Sequence, residues 1–113
     1  MISRSFGEFY SSGFDLLLTP TLGSPPLVLG SLTAKPNAHH EVWDKLVSFI
    51  PFTPIQNMTG EPAISLPLHW NASGLPIGVQ LVAPWGREDL LLRVAGQLEA
   101  ARPWSARRPP VHA

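Results

Sequence analysis

Few side chains in this 113-residue sequence are of types that do chemistry, and their spacing decides most cases. Ser11-Ser12-Gly13 is the only serine pair. A serine nucleophile needs an adjacent base and a site for the oxyanion, usually backbone N–H groups in a glycine-rich turn. One glycine follows the pair and none precedes it, so these serines read as the end of a helix. Lys35 and Lys45 are the only lysines. A catalytic lysine must be desolvated so that its pKa falls toward neutrality. Lys35 precedes a proline in a loop and Lys45 falls on the solvent side of a helix, so both read as surface lysines.

His39-His40-Glu41 suggests metal only at first sight. Adjacent histidines do not share one helix face, and zinc wants three or four converging ligands. His69 and His112 are distant in sequence. Asp15, His69 and a serine could form a triad on paper, but no G-x-S-x-G elbow supports it. The tryptophans at 43, 70, 85 and 104 are isolated from one another and read as core or rim packing. No catalytic residue, metal site or cofactor site is assigned from these residues.

Composition narrows the class. Eight basic residues balance eight acidic ones, which leaves no electrostatic footprint for nucleic acid or an anionic membrane. Arg102, Arg107 and Arg108, set among prolines, read as a solvated tail over 104–113. Cysteine is absent, which excludes disulfides and thiolate metal sites. No apolar run reaches the ~18 residues of a membrane span, and the N-terminus makes a poor signal peptide. A cytoplasmic protein is the expectation. Hydrophobic residues make up 44%, a globular proportion. Thirteen prolines are scattered as punctuation, so many short elements and long ordered loops are expected.

The elements follow from periodicity. Phe6, Phe9, Tyr10 and Phe14 mark one face of a helix over about 2–12, ended by Gly13. Residues 14–20, FDLLLTP, form a short continuous apolar run, the pattern of a strand buried on both faces. Residues 20–40 read as a long loop of the kind that often binds something. Val42, Trp43, Leu46, Val47 and Ile50 suggest a helix over 40–50, interrupted by Pro51. Ile64, Leu66, Leu68 and Trp70 alternate with Ser65, Pro67 and His69, a strand with one apolar face. Pro67 donates no backbone hydrogen bond, so this strand belongs at an edge or is locally irregular. Asn71-Ala72-Ser73-Gly74 is turn chemistry, and 76–82 returns as the second strand of a hairpin. Leu91, Val94, Ala95 and Leu98 fall at i, i+3, i+4 and i+7 of a packing helix over 87–101 that Pro103 stops.

The block at 52–67, FTPIQNMTGEPAISLP, resembles the C-terminal block of the amidase-signature family. There an asparagine, a Thr-Gly or Ala-Gly step and Pro-Ala-Ile-Ser recur in that order. The likeness continues through GLPIGVQLV at 74–82 and EDLL at 88–91. Upstream, DLLLTPT at 15–21 resembles the strand that precedes this block, and Arg102-Pro103-Trp104 resembles bacterial members. Several motifs thus agree, in the correct order, over nearly the whole chain.

The resemblance implies an α/β fold, here an α+β-like C-terminal part of a large α/β/α enzyme with a mixed central sheet. Residues 1–113 would be a partial amidase domain. The family hydrolyses small-molecule carboxylic amides with a Ser–cis-Ser–Lys triad and no cofactor or metal. One serine attacks, the second relays the proton, and the lysine is the base. The triad lies in the N-terminal two thirds of such enzymes and has no counterpart here, so the chain is expected to be inactive alone. Ile50, Phe52 and Asn57 occupy the segment where related amidases line the substrate pocket, although plain core packing explains the same residues. Strand edges and an apolar face left uncovered would invite self-association or an N-terminal amidase half as partner. A partner-dependent half of a split amidase and a non-catalytic binding module, with 20–40 as its contact loop, are the alternatives.

Overall fold

The computed structural model describes residues 2–33 and 39–109. Among these residues seven elements run in the order α1 (Ile2–Ser11), β1 (Leu17–Pro20), α2 (His39–Phe49), α3 (Pro54–Thr59), β2 (Ala63–Trp70), β3 (Pro76–Val82) and α4 (Glu88–Ala101). The strands make one antiparallel sheet in the order β1-β3-β2, so β3 is central and the other two are edges.

The β2–β3 hairpin turns where the sequence expects it. Asn71 Oδ1 accepts from the backbone N–H groups of Ser73 (3.0 Å) and Leu75 (2.9 Å). Gly74 takes the left-handed conformation at φ 77°, which a side chain would strain. The register passes from Leu66↔Val79 to His69↔Ile77, so the strand is irregular across Pro67. Pro67 is accommodated by being on an edge strand and at the irregularity together.

The register also assigns the two faces of the sheet. Leu18 pairs with Leu81, and Ile64 pairs with Leu81 from the other side. This apolar face receives α4, whose Leu91 and Ala95 are buried against Leu66, Leu81 and Ala83. Val94, Leu98 and Trp104 pack around that cluster. The i, i+3, i+4, i+7 stripe of α4 is therefore the core stripe. On the opposite face Thr19 pairs with Gln80, and Ser65 pairs with Gln80 from β2.

Two expectations need correction. The strand at 17–20 is not buried on both faces: its residues alternate between half-buried and exposed, and Leu18 is 66% exposed. Its continuous apolar run suits a strand inside a wider sheet, and among the described residues only β3 pairs with it. The second is an omission. The segment after Pro51 contains a helix, α3, which begins with Pro54 in its first turn and ends at left-handed Gly60, whose N–H bonds Gln56 O. Proline at a helix start and glycine just past its end are the expected asymmetry, so the signal was present in Thr53-Pro54 and Gly60.

Candidate functional site

The segment 50–61 sits over the sheet as a short buttress. Ile50 directly follows α2, its N–H donating to Leu46 O at 3.0 Å. Phe52 is half-buried, and Asn57 is exposed on α3. One turn of α3 points inward: Gln56 is buried, and Gln80 Nε2 reaches its Oε1 at 3.4 Å. The same Gln80 amide donates to Thr19 Oγ1 at 3.2 Å. A polar ladder thus runs from α3 through central β3 to β1. Thr21 and Ser65 close it, their hydroxyl oxygens 2.7 Å apart across Gly78.

Glu61 lies at the end of this buttress and is buried. Its Oε2 is 2.8 Å from Thr59 Oγ1, and its Oε1 is enclosed with no hydrogen-bond partner among the described residues. Burial pushes the Glu61 carboxyl up from its ordinary value, against the opposing pull of the Thr59 hydrogen bond. The Tyr10 hydroxyl of α1 is likewise enclosed without a partner among the described residues. Burial, with the negative charge of Glu61, pushes that phenol up to about 12. Trp85 fastens the same corner: its indole N–H donates to Thr59 O at 2.9 Å.

The residues weighed for chemistry from sequence are scattered. Ser11 and Ser12 are exposed, and Ser12 Oγ donates to Phe9 O at 2.7 Å, so the pair ends α1. His39 and His40 lie exposed at the start of α2, and His69 is exposed on β2. Lys35 falls outside the described residues. Lys45 is exposed on α2 and, with Asp44 and Ser48, lines one side of an open cleft of about 570 Å³. Leu27 and Ser31, from the loop after β1, form the other side of that cleft. Gly23 anchors this loop to α2: its N–H bonds Phe49 O at 2.9 Å, and a side chain there would meet the Ser48 carbonyl. Ile50, Phe52 and Asn57 do not line this cleft, nor the one of about 280 Å³ between 22–26 and 76–78.

Among the described residues the arrangement therefore supplies hydroxyls, carboxamides and one buried carboxyl, held in a sheet-and-helix corner. Such groups can hydrogen-bond and orient a neighbouring polar group. Among the described residues, no serine is hydrogen-bonded to a base that could activate it as a nucleophile. Sequence reasoning missed Gln56, Gln80 and Glu61; the alternation of polar residues on β3 with its apolar face was the available signal.

The antiparallel sheet thus carries a helix on one face and a polar buttress on the other. The amidase family model matches residues 1–92, and the chain belongs to that family. It is 46% identical over 110 residues to the putative amidase AmiC of Mycobacterium bovis, covering 97% of this chain and 23% of that protein. It is 44% identical over 107 residues to the 6-aminohexanoate-cyclic-dimer hydrolase of Pseudomonas sp. strain NK87, covering 90% of this chain and 22% of that one. A solved structure of a 6-aminohexanoate cyclic dimer hydrolase superposes with a TM-score of 0.86 over 96% of this chain and 23% of its own, at 41% identity. The chain thus corresponds to a C-terminal portion of an amidase-signature enzyme and spans less than a quarter of the length of these relatives.

Proposed function

We propose that this chain is the non-catalytic C-terminal portion of a carboxylic-amide hydrolase, inactive alone. It would complete the enzyme's sheet and form one wall of its substrate pocket. The observation that carries this reading is the match itself, close over 96% of this chain while spanning 23% of the hydrolase. The Ser–cis-Ser–Lys machinery of the family would be supplied by the remaining polypeptide, whether in the same protein or as a separate subunit. No cofactor or metal enters this reading, and the cytoplasm is its proposed compartment.

Ile50 and Phe52 would form the apolar part of the pocket wall, and Asn57 would hydrogen-bond the amide substrate. Their half-buried and exposed positions along one short segment support this, since a pocket wall must keep surface free for a ligand. The test uses an enzyme reconstituted with this chain in place of the matched segment of the 6-aminohexanoate-cyclic-dimer hydrolase. Phe52→Ala is expected to raise KM for an apolar amide with little change in kcat, the mark of lost uniform binding. Unchanged KM with Ile50, Phe52 and Asn57 each replaced would contradict the assignment.

A further inference from the structure

The segment after α4 folds back onto one end of the sheet. Pro103 follows the helix, and Trp104 packs against the core formed by the sheet and α4. Arg107 N–H then bonds Trp104 O at 2.9 Å, a four-residue turn that reverses the chain. The turn brings the Arg107 guanidinium over the ring of Trp70, 4.3 Å from its centre. Trp70 is the last residue of β2, so this contact joins the C-terminal segment to the hairpin.

Between the two pieces lies a groove of about 540 Å³. Pro67, Trp70 and Leu75 line it from the hairpin, and Trp104, Arg107 and Arg108 line it from the C-terminal segment. An apolar concavity of this size with a few polar groups at one place is the usual form of a small-molecule site. Its charge is of one sign, since no acidic residue is among the described residues that line it. Arg4, Arg87 and Arg93 each have a carboxylate partner. Among the described residues Arg107 and Arg108 have none.

Arg107 is the better placed of the two. An indole face attracts a guanidinium and leaves its N–H donors available. Two parallel N–H groups of a guanidinium match the two oxygens of a carboxylate. Trp70 orders this side chain in advance, which lowers the entropy cost of binding. The family match ends at residue 92, so the lining from 104 to 108 lies outside it.

We propose that this groove binds a small monocarboxylate with an apolar body, an aryl or aliphatic carboxylic acid in its anionic form. The carboxylate takes the Arg107 fork, with Arg108 as the second cation, and the body lies against Trp104, Leu75 and Pro67. The apolar lining favours such an acid over an inorganic anion, which would lose hydration there and gain no contact in return. The inference does not use the amidase reading of the chain, and binding is read without any turnover.

The test titrates phenylacetate into the full chain and follows its four indole N–H signals by NMR, assigned by replacing each tryptophan in turn with phenylalanine. The signals of Trp70 and Trp104 are expected to shift saturably, and those of Trp43 and Trp85 to stay in place. Phenylacetamide, with the same body and no charge, should bind at least about tenfold more weakly. Acetate, with the charge and no body, should do the same. Arg107→Lys keeps a cation for Trp70 and loses the fork, and should weaken phenylacetate binding by about tenfold. A purely structural role for Arg107, pinning the C-terminal segment to Trp70, would leave Arg107→Lys binding like the parent chain. The proposal is overturned by that result, by the absence of a saturable shift at Trp70 and Trp104, by equal binding of phenylacetamide, or by tighter binding of inorganic phosphate.

Discussion

Thr21 Oγ1 lies 2.7 Å from Ser65 Oγ, and the bridge between the two edge strands passes directly over Gly78 of the central one. A side chain on Gly78 would stand 2.7 Å from the Thr21 oxygen and 2.8 Å from the Ser65 oxygen. The glycine is there for closeness of approach, which ties all three strands together on the polar face.

Gly78→Ala is therefore expected to destabilise the chain by about 1–3 kcal/mol, the usual cost of overpacking. Urea denaturation followed by tryptophan fluorescence measures it. Adding Ser65→Ala should recover part of the loss by removing one of the two clashing oxygens. An unchanged midpoint for Gly78→Ala would mean the polar face is looser than this geometry.

Glu61 should make stability pH-dependent in a stated direction. Thr59 has one hydroxyl proton and two acceptors in reach, Ile55 O at 3.0 Å and Glu61 Oε2 at 2.8 Å. A proton on Glu61 resolves the conflict, with Glu61 donating to Thr59 and Thr59 donating to Ile55 O. The carboxyl's folded pKa is raised above the ordinary 4.5, so between the two values the folded state holds more protons than the unfolded one. Stability contributed by this group is then fully present below about 4.5 and is lost as pH rises through the folded value. Glu61→Gln should flatten that slope and raise stability at neutral pH. Tyr10, raised from 10.0 to about 12, adds a second loss of the same sign across that alkaline window.

Trp85→Phe keeps an aromatic ring beside Gly7 and Gly60 and deletes the donor to Thr59 O. A neutral hydrogen bond contributes about 0.5–1.5 kcal/mol net, and the midpoint of unfolding should fall accordingly. The exchange of amides in α3, followed by mass spectrometry, should rise more than that of α4 amides. Equal rises in both helices would show that Trp85 supports the whole core and not this corner.

Much of the fold was legible because its elements carry strong local signals. The alternation from Ile64 to Trp70, the Asn71–Gly74 turn and the Leu91–Leu98 stripe each specify one element and its buried face. α3 was not read, since a six-residue helix has too few positions to establish a period and is visible only through its boundary residues. The burial of β1 was misjudged for a different reason. An apolar run records the environment a strand needs, and among the described residues only β3 is its neighbour. The geometry of the 50–61 segment was not legible in the sequence. Nothing in local pattern says that Gln56 turns inward while Asn57, one residue on, faces solvent. The contact of Gln80 with Thr19 joins residues far apart in sequence, beyond the reach of any periodicity.

The central claim is that this chain holds structure and part of a pocket but not the reacting groups. The direct measurement is amide hydrolysis by the purified chain alone, on aliphatic amides, aryl amides and the 6-aminohexanoate cyclic dimer. The account predicts no turnover above buffer. Turnover that co-purifies with the chain and is lost on replacing Ser12 or Lys45 would contradict it.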